Sequence, residues 1–399
     1  MITNTLLALG IVMAAGLLMT RVIKLVKLPN VTAYLIAGLI IGPSVIGLIG
    51  KDTVKSFDII VTLALGFIAF SIGGEFKLDT IKRLGKKITL ITAAQAFGAV
   101  ILVFVCLLGA GLFGWLGENY MPIVFTLSAI ATATAPAATL LVVRQYKAHG
   151  PVTETLLPVV ALDDAFGLMT FSVFISIAQA LSSGTAPTVK TMLLDPLIEI
   201  VGSLGIGFAL GLVVALCTRV FKSRANRLCL CITATVIGTA LAQMLNLSSL
   251  LLCMMIGAVT CNLGKDVDRV LEGTDRWTPP LFMLFFVISG ADLDLSILPK
   301  VGIIGVIYII ARSLGKYFGA RFGAAAVKAE PTVRKWLGFT LLPQAGVAVG
   351  MAQIALTRLG GDLGAQVQAV VLCATLIYEI VGPILTKIAL TKAGEISKE

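Results

Sequence analysis

The stretch FTLSAIATATAPAATLLVVRQ, Phe125–Gln145, is apolar for most of its length yet carries Thr132, Thr134 and Pro136 near its centre. A second stretch of the same length, FTLLPQAGVAVGMAQIALTRL, runs from Phe339 to Leu359 and holds Pro343 and Gly346. Each is long enough to cross a bilayer, which takes roughly 17 to 25 apolar residues. Proline lacks an amide donor and disturbs the carbonyl one turn back, so both helices are expected to break at mid-depth. Backbone groups freed there must line a polar cavity or find protein partners, because hydrocarbon offers none.

The two stretches also point to an internal repeat. An offset of 214 residues lays Phe125 on Phe339 and Arg144 on Arg358. At 215, LDDAFG (162–167) falls over IYEIVG (377–382), so Asp164 meets Glu379. At 216, SIGG ending at Gly74 falls over VISG ending at Gly290. The paired spans stand an odd number of crossings apart, so the two copies are expected to be inverted. Inverted repeats with a mid-membrane site at broken helices are the build of many secondary transporters.

The rest of the chain fits a polytopic membrane protein. Apolar residues make up 58% of it and charged residues only 13%, against about a quarter charged in soluble domains. The expected fold is all-α with about thirteen membrane spans. The net charge of +10 does not imply nucleic acid, because the basic residues fall in loops between apolar runs. One alternate set of loops holds 24 Lys and Arg and the other holds 5. That bias predicts an amino terminus outside and a carboxyl terminus in the cytoplasm. The first apolar run, Leu6–Thr20, has no basic stretch ahead of it and reads as a membrane helix, not a cleaved signal. No soluble regulatory domain is expected at either end. The chain is expected to divide into 1–87, 88–183, 184–298 and 299–399. The seven cysteines form no CxxC pair and read as small apolar residues. Without a nucleophile–base set or a metal-ligand cluster, neither an enzyme with catalytic residues nor a bound cofactor is expected.

Charge inside the apolar runs carries the chemistry. VVALDDAFGL, Val159–Leu168, sets Asp163 beside Asp164, although an ionised side chain at mid-bilayer costs from about 2.5 to above 10 kcal/mol. Helix neighbours point about 100° apart, so one carboxylate can face a cavity while the other faces an adjoining helix. A buried carboxylate takes up a proton or finds a cation, and a site that holds one or the other exchanges them. Sodium and lithium want oxygen ligands, which Asp164, Thr132 or Thr134 and the carbonyls of the breaks can supply. In ARSLGKYFGARFG (311–323), Lys316 lies among Gly315, Gly319 and Gly323, a stripe that permits close helix approach. A mid-membrane ammonium needs an acidic partner, and Asp163 is the candidate. Arg312, one turn away, either snorkels outward or pairs with Glu379. Glu379 is either a second ion site or a structural partner. His149, the one histidine, is a solvated loop residue or a pH sensor.

TATAPAATLLVVRQ (132–145), ALDDAFG (161–167) and RSLGKYFGA (312–320) together resemble the monovalent cation:proton antiporters. The likeness is to the two-aspartate, sodium-exchanging branch with the NhaA fold, and covers essentially the whole chain. It implies a homodimer with scaffold and dimerisation helices over 1–87 and, after a linker helix, over 184–298, and a moving six-helix core over 88–183 and 299–399 built on two crossed, unwound helices. It further implies that Asp164 binds the ion and that Asp163 pairs with Lys316. One departure is that some members carry an acid after the threonine of the broken helix, where this chain has Ala133 or Ala135. The implied function is electrogenic exchange of Na+ or Li+ for H+ across a prokaryotic cytoplasmic membrane, with Asp164 and Thr134 holding the metal cation. Its partners are the lipid bilayer, the monovalent cation and a second copy, and no nucleic acid. A K+/H+ antiporter of the same fold, and an uncoupled cation channel or ion-sensing protein, remain alternatives.

Overall fold

A computed structural model describes residues 4–25, 28–74, 76, 78–116, 119–183, 194–293 and 298–396. Among them are sixteen helical segments, seven of which are long and apolar enough to cross a membrane. The chain forms two compact units, Met1–Gly85 with Ile198–Leu293, and Lys86–Leu197 with Asp294–Glu399. The boundary expected near residue 184 lies outside the described residues.

The first unit holds α1 (Thr5–Leu25), α2 (Asn30–Ile41), α3 (Lys51–Lys55) and α4 (Asp58–Gly74). The second takes up α5 (Leu78–Leu112) from Lys86 onward and holds α6 (Met121–Ile130), α7 (Pro136–Gln145) and α8 (Pro151–Ser183). The chain returns to the first through α9 (Asp195–Val220), α10 (Arg224–Met244), α11 (Ser249–Leu263) and α12 (Val267–Asp292). It ends in the second with α13 (Leu298–Ala326), α14 (Pro331–Thr340), α15 (Gly346–Leu359) and α16 (Gly361–Ala393).

In the first unit, glycines let helices meet main chain to main chain. A Cβ at Gly38 would stand 1.9 Å from the Val287 carbonyl oxygen of α12, and one at Gly73 1.9 Å from that of Met254 in α11. With no hydrophobic drive between helices in lipid, such close packing is what holds them together. The outer face of α1 shows the complementary property. Leu6, Leu18 and Leu25 are 81%, 69% and 86% exposed, a surface that only a bilayer or a partner covers.

The second unit is built on two interrupted helices. α6 stops at Ile130 and α7 starts at Pro136, and α14 stops at Thr340 and α15 starts at Gly346. Pro136 is pre-set for a helix start and needs no amide donor there. Ala135 takes an extended conformation just before it, as a residue ahead of proline prefers. The two breaks meet directly, the Ala135 amide donating to the Pro343 carbonyl at 2.8 Å. Around them Leu127, Ile130, Tyr308, Met351 and Val370 form the buried core. α13, expected as one run, carries a non-helical residue, Gly302, near its start.

The repeat register differs from the one the sequence suggests. Pro136 and Gly346, Pro151 and Gly361, and Ser183 and Ala393 all bound matching helices, and each pair stands 210 residues apart. These bounds differ from the sequence offset of 214 by four residues, about one helical turn, while Gln145 and Leu359, which end α7 and α15, keep the spacing of 214. A helix presents the same face again after three or four residues, so matching apolar helices by similarity slips readily by a turn. In the structural register Asp163 and Asp164 lie over Cys373 and Ala374, and Thr134 lies over Gln344. By that spacing Glu379 lies over Met169.

Candidate functional site: a buried charge cluster at the helix breaks

Four elements of the second unit place side chains at the breaks. α8 supplies Asp163, which is fully buried, and Asp164, which is 2% exposed. α13 supplies Arg312 and Lys316, both fully buried and one turn apart on one face. The first break supplies Thr132 and Thr134, and α5 supplies Gln95. α5 and α13 cross through the glycine stripe. A Cβ at Gly315 would lie 2.6 Å from the Gly98 carbonyl oxygen, and one at Gly319 2.5 Å from that of Ala94. Larger residues there would push the two helices apart and withdraw Lys316 from α5.

Asp163 is fully engaged. Lys316 Nζ stands 2.9 Å from its Oδ2, and the Thr134 hydroxyl donates to the same oxygen at 2.6 Å. Gln95 Nε2 donates to Oδ1 at 2.5 Å. Lys316 also donates to Gln95 Oε1 at 2.6 Å, to Thr134 Oγ1 at 2.7 Å and to the Thr132 carbonyl. An ammonium has three hydrogens, so the four oxygens around it share them. Both charges are thus compensated and hydrogen-bonded, the condition under which a buried pair is tolerated.

Asp164 is the contrast. Both of its carboxyl oxygens are buried, and neither has a hydrogen-bond partner among the described residues. Gly167, one turn further along α8, lets the first break come close; a Cβ there would lie 3.1 Å from Thr132 Oγ1. The Thr132 hydroxyl itself donates to the Ala129 carbonyl at 2.7 Å.

Arg312 neither snorkels nor stays at the margin. Its guanidinium donates to the Ala131, Ala133 and Leu342 carbonyls at 3.1, 2.6 and 2.9 Å, clamping both breaks. It lies over the Tyr378 ring, 4.4 Å from the centroid. Glu379, the next residue of α16, is buried, 5% exposed. The Ile130 carbonyl accepts from Gln344 Nε2 at 3.1 Å, and Gln344 also meets the Tyr308 hydroxyl. Break carbonyls expected to face a metal cation therefore carry protein donors, two of them cationic side chains. His149 lies in the loop before α8, where its amide donates to the Glu395 carbonyl at 3.2 Å.

Sequence reasoning missed Gln95 and Gln344. Gln95 is the one amide side chain in the apolar run 88–112, but a neutral amide names no partner by itself. Gln344 follows Pro343 directly and faces backbone that only the fold brings near.

The sequence matches the family described as "Sodium/hydrogen exchanger, transmembrane" over residues 10–392. Na(+)/H(+) antiporter 1 of Methanocaldococcus jannaschii is 24% identical over 212 residues, 52% of this chain and 45% of that protein. The match thus spans less than half of that relative. Two structures of the sodium proton antiporter MjNhaP1 from Methanocaldococcus jannaschii superpose on the chain. One, at pH 8, has a TM-score of 0.70 with 18% identity, covering 98% of this chain and 96% of the other. The second, an electron-microscopy map, has a TM-score of 0.79 with 17% identity, covering 98% of both. At these identities the structural likeness is one of fold.

Proposed function

The chain belongs to the transmembrane sodium/hydrogen exchanger family, and from that premise we propose that it exchanges Na+ for H+ with Asp164 as the shared site. The observation that carries this reading is the pair of buried, unpartnered Asp164 oxygens beside a fully satisfied Asp163. A carboxylate in that setting is costly while ionised and alone. It is stable with a proton or with a small cation, and the two compete for the same oxygens. Thr132, held beside α8 at Gly167, offers a further oxygen. Thr134, already committed to Asp163 and Lys316, joins the cation only when that pair opens. Two protons leaving the aspartates against one Na+ would move net charge, and Li+ suits the same oxygens.

The test is proton movement in proteoliposomes as Na+, Li+ and K+ are added in turn. Na+ and Li+ are expected to drive it and K+ is not. Asp164→Asn is expected to abolish it while the protein still folds, because an amide neither releases a proton nor offers negative charge. Exchange by that variant at the wild-type rate would place the site elsewhere.

The same reading takes the protein as a homodimer of a prokaryotic cytoplasmic membrane, and the bias of 24 against 5 basic loop residues supports an amino terminus outside. Lys335, exposed on α14, then faces the cytoplasm. In a chain cleared of its seven native cysteines, reaction of Lys335→Cys with an impermeant thiol reagent on intact cells would reverse the orientation.

A further inference from the structure

The Asp163–Lys316 pair accounts for two charges but not for the neutral side chain set between them. Gln95 is fully buried and bonded at both ends, its Nε2 to Asp163 and its Oε1 to Lys316. An ionised carboxylate only accepts and an ammonium only donates. This orientation of the amide therefore serves the charged pair, and both bonds are of the stronger, charge-assisted kind. Neutralising or withdrawing either partner leaves one end of Gln95 unmatched or forces the amide to turn over. The main chain fixes its place as well. A Cβ at Gly319 would lie 2.7 Å from Gln95 Cα, so α5 sits against α13 one turn from Lys316. Gln95 cannot leave the level of the lysine unless the two helices part. Neither of its polar atoms is bonded to Asp164, whose oxygens have no partner among the described residues.

We propose that Gln95 is the positioning residue of this pair. It holds Asp163 and Lys316 in register and sets how readily they separate, without touching the transported cation. What the separation does rests on the antiporter reading above; the contact itself rests on geometry.

A swap tests the contact. Gln95→Glu combined with Asp163→Asn exchanges the amide and the carboxylate between the two positions that flank Lys316. Asp163→Asn alone is expected to melt about 3 °C or more below wild type, and the swap to regain at least half of that loss. A swap that melts no higher than Asp163→Asn overturns the proposal. If Asp163→Asn yields no folded protein, recovery of a monodisperse swapped protein counts as the regain, and failure to recover it counts against.

Transport tests the role. Gln95→Leu keeps bulk and removes both bonds. It is expected to leave the half-saturating Na+ concentration within about twofold while turnover falls about tenfold, the split expected when ground-state binding is untouched. Wild-type turnover in Gln95→Leu would overturn the role. If wild-type vesicles show no cation-driven proton movement, the antiporter reading fails, while the melting comparison still decides whether Gln95 holds the pair.

Discussion

The two halves of the second unit share a frame and differ in what they hang on it. In each, a short helix, a five-residue break, a second short helix and a 33-residue helix follow in order. In the first half the break and the long helix carry Thr132, Thr134, Asp163 and Asp164. The matching positions of the second half are Leu342, Gln344, Cys373 and Ala374. One half therefore holds a charged network that needs Lys316, and the other a neutral one in which Gln344 meets Tyr308 and the Ile130 carbonyl. A duplicated backbone supplies two breaks that fit one another, and only one copy carries carboxylates at the positions of Asp163 and Asp164. Arg312 joins them by bonding to carbonyls of both.

That asymmetry predicts unequal costs for disturbing the two networks. Lys316→Ala leaves Asp163 buried without its counter-charge, a loss of about 3–5 kcal/mol for buried pairs. Thermal melting of the purified protein reads it, and Asp163→Asn in the same chain is expected to recover part. Gln344→Ala leaves a carbonyl and a phenol without one partner each, about 1–3 kcal/mol, with no second substitution that removes a charge to repair it. Equal losses, or a Lys316→Ala that melts at the wild-type temperature, would break the contrast between a charged half and a neutral one.

What was legible in the sequence follows the same division. Proline chemistry is local, so the breaks at 131–135 and 341–345 could be expected from Pro136 and Pro343. The meeting of Asp163 with Lys316 was legible because two buried charges of opposite sign have few ways to be balanced. Gln95 was not, because a neutral amide in an apolar run creates no such demand, and its partners depend on which helices touch. The clamp of Arg312 was hidden for a related reason. Which carbonyls are orphaned at a break, and which side chain reaches them, is settled by the crossing of α13 with both breaks. The repeat was legible, but its register was not, since a one-turn slip preserves the apolar face. That slip gave Glu379 a kinship with Asp164 that the helix ends do not support.

The halves also differ at the start of their long helices, and there the expected effect is smallest. α16 opens on Gly360 and Gly361, both at positive φ, and its cap position makes no side-chain hydrogen bond. α8 instead receives Glu395 from beyond the end of α16. The carboxylate accepts from the Val152 and Thr153 amides at 2.6 and 2.8 Å and from the Thr153 hydroxyl at 2.6 Å. The first amides of a helix lack internal partners, and a carboxylate there also meets the positive end of the helix dipole. Glu395→Ala removes both contributions and makes the start of α8 resemble that of α16. By analogy with lost caps the expected cost is about 1 kcal/mol, with faster amide hydrogen exchange confined to the first turn of α8. Glu395→Gln, which keeps an acceptor but not the charge, is expected to fall between the two. Asp164 lies about three and a half turns along α8 from Pro151, so the half-saturating Na+ concentration should stay at its wild-type value. A large change in that value after Glu395→Ala would mean that α8 transmits strain from its capped end to the aspartates, and that the frame and the chemistry are not separable.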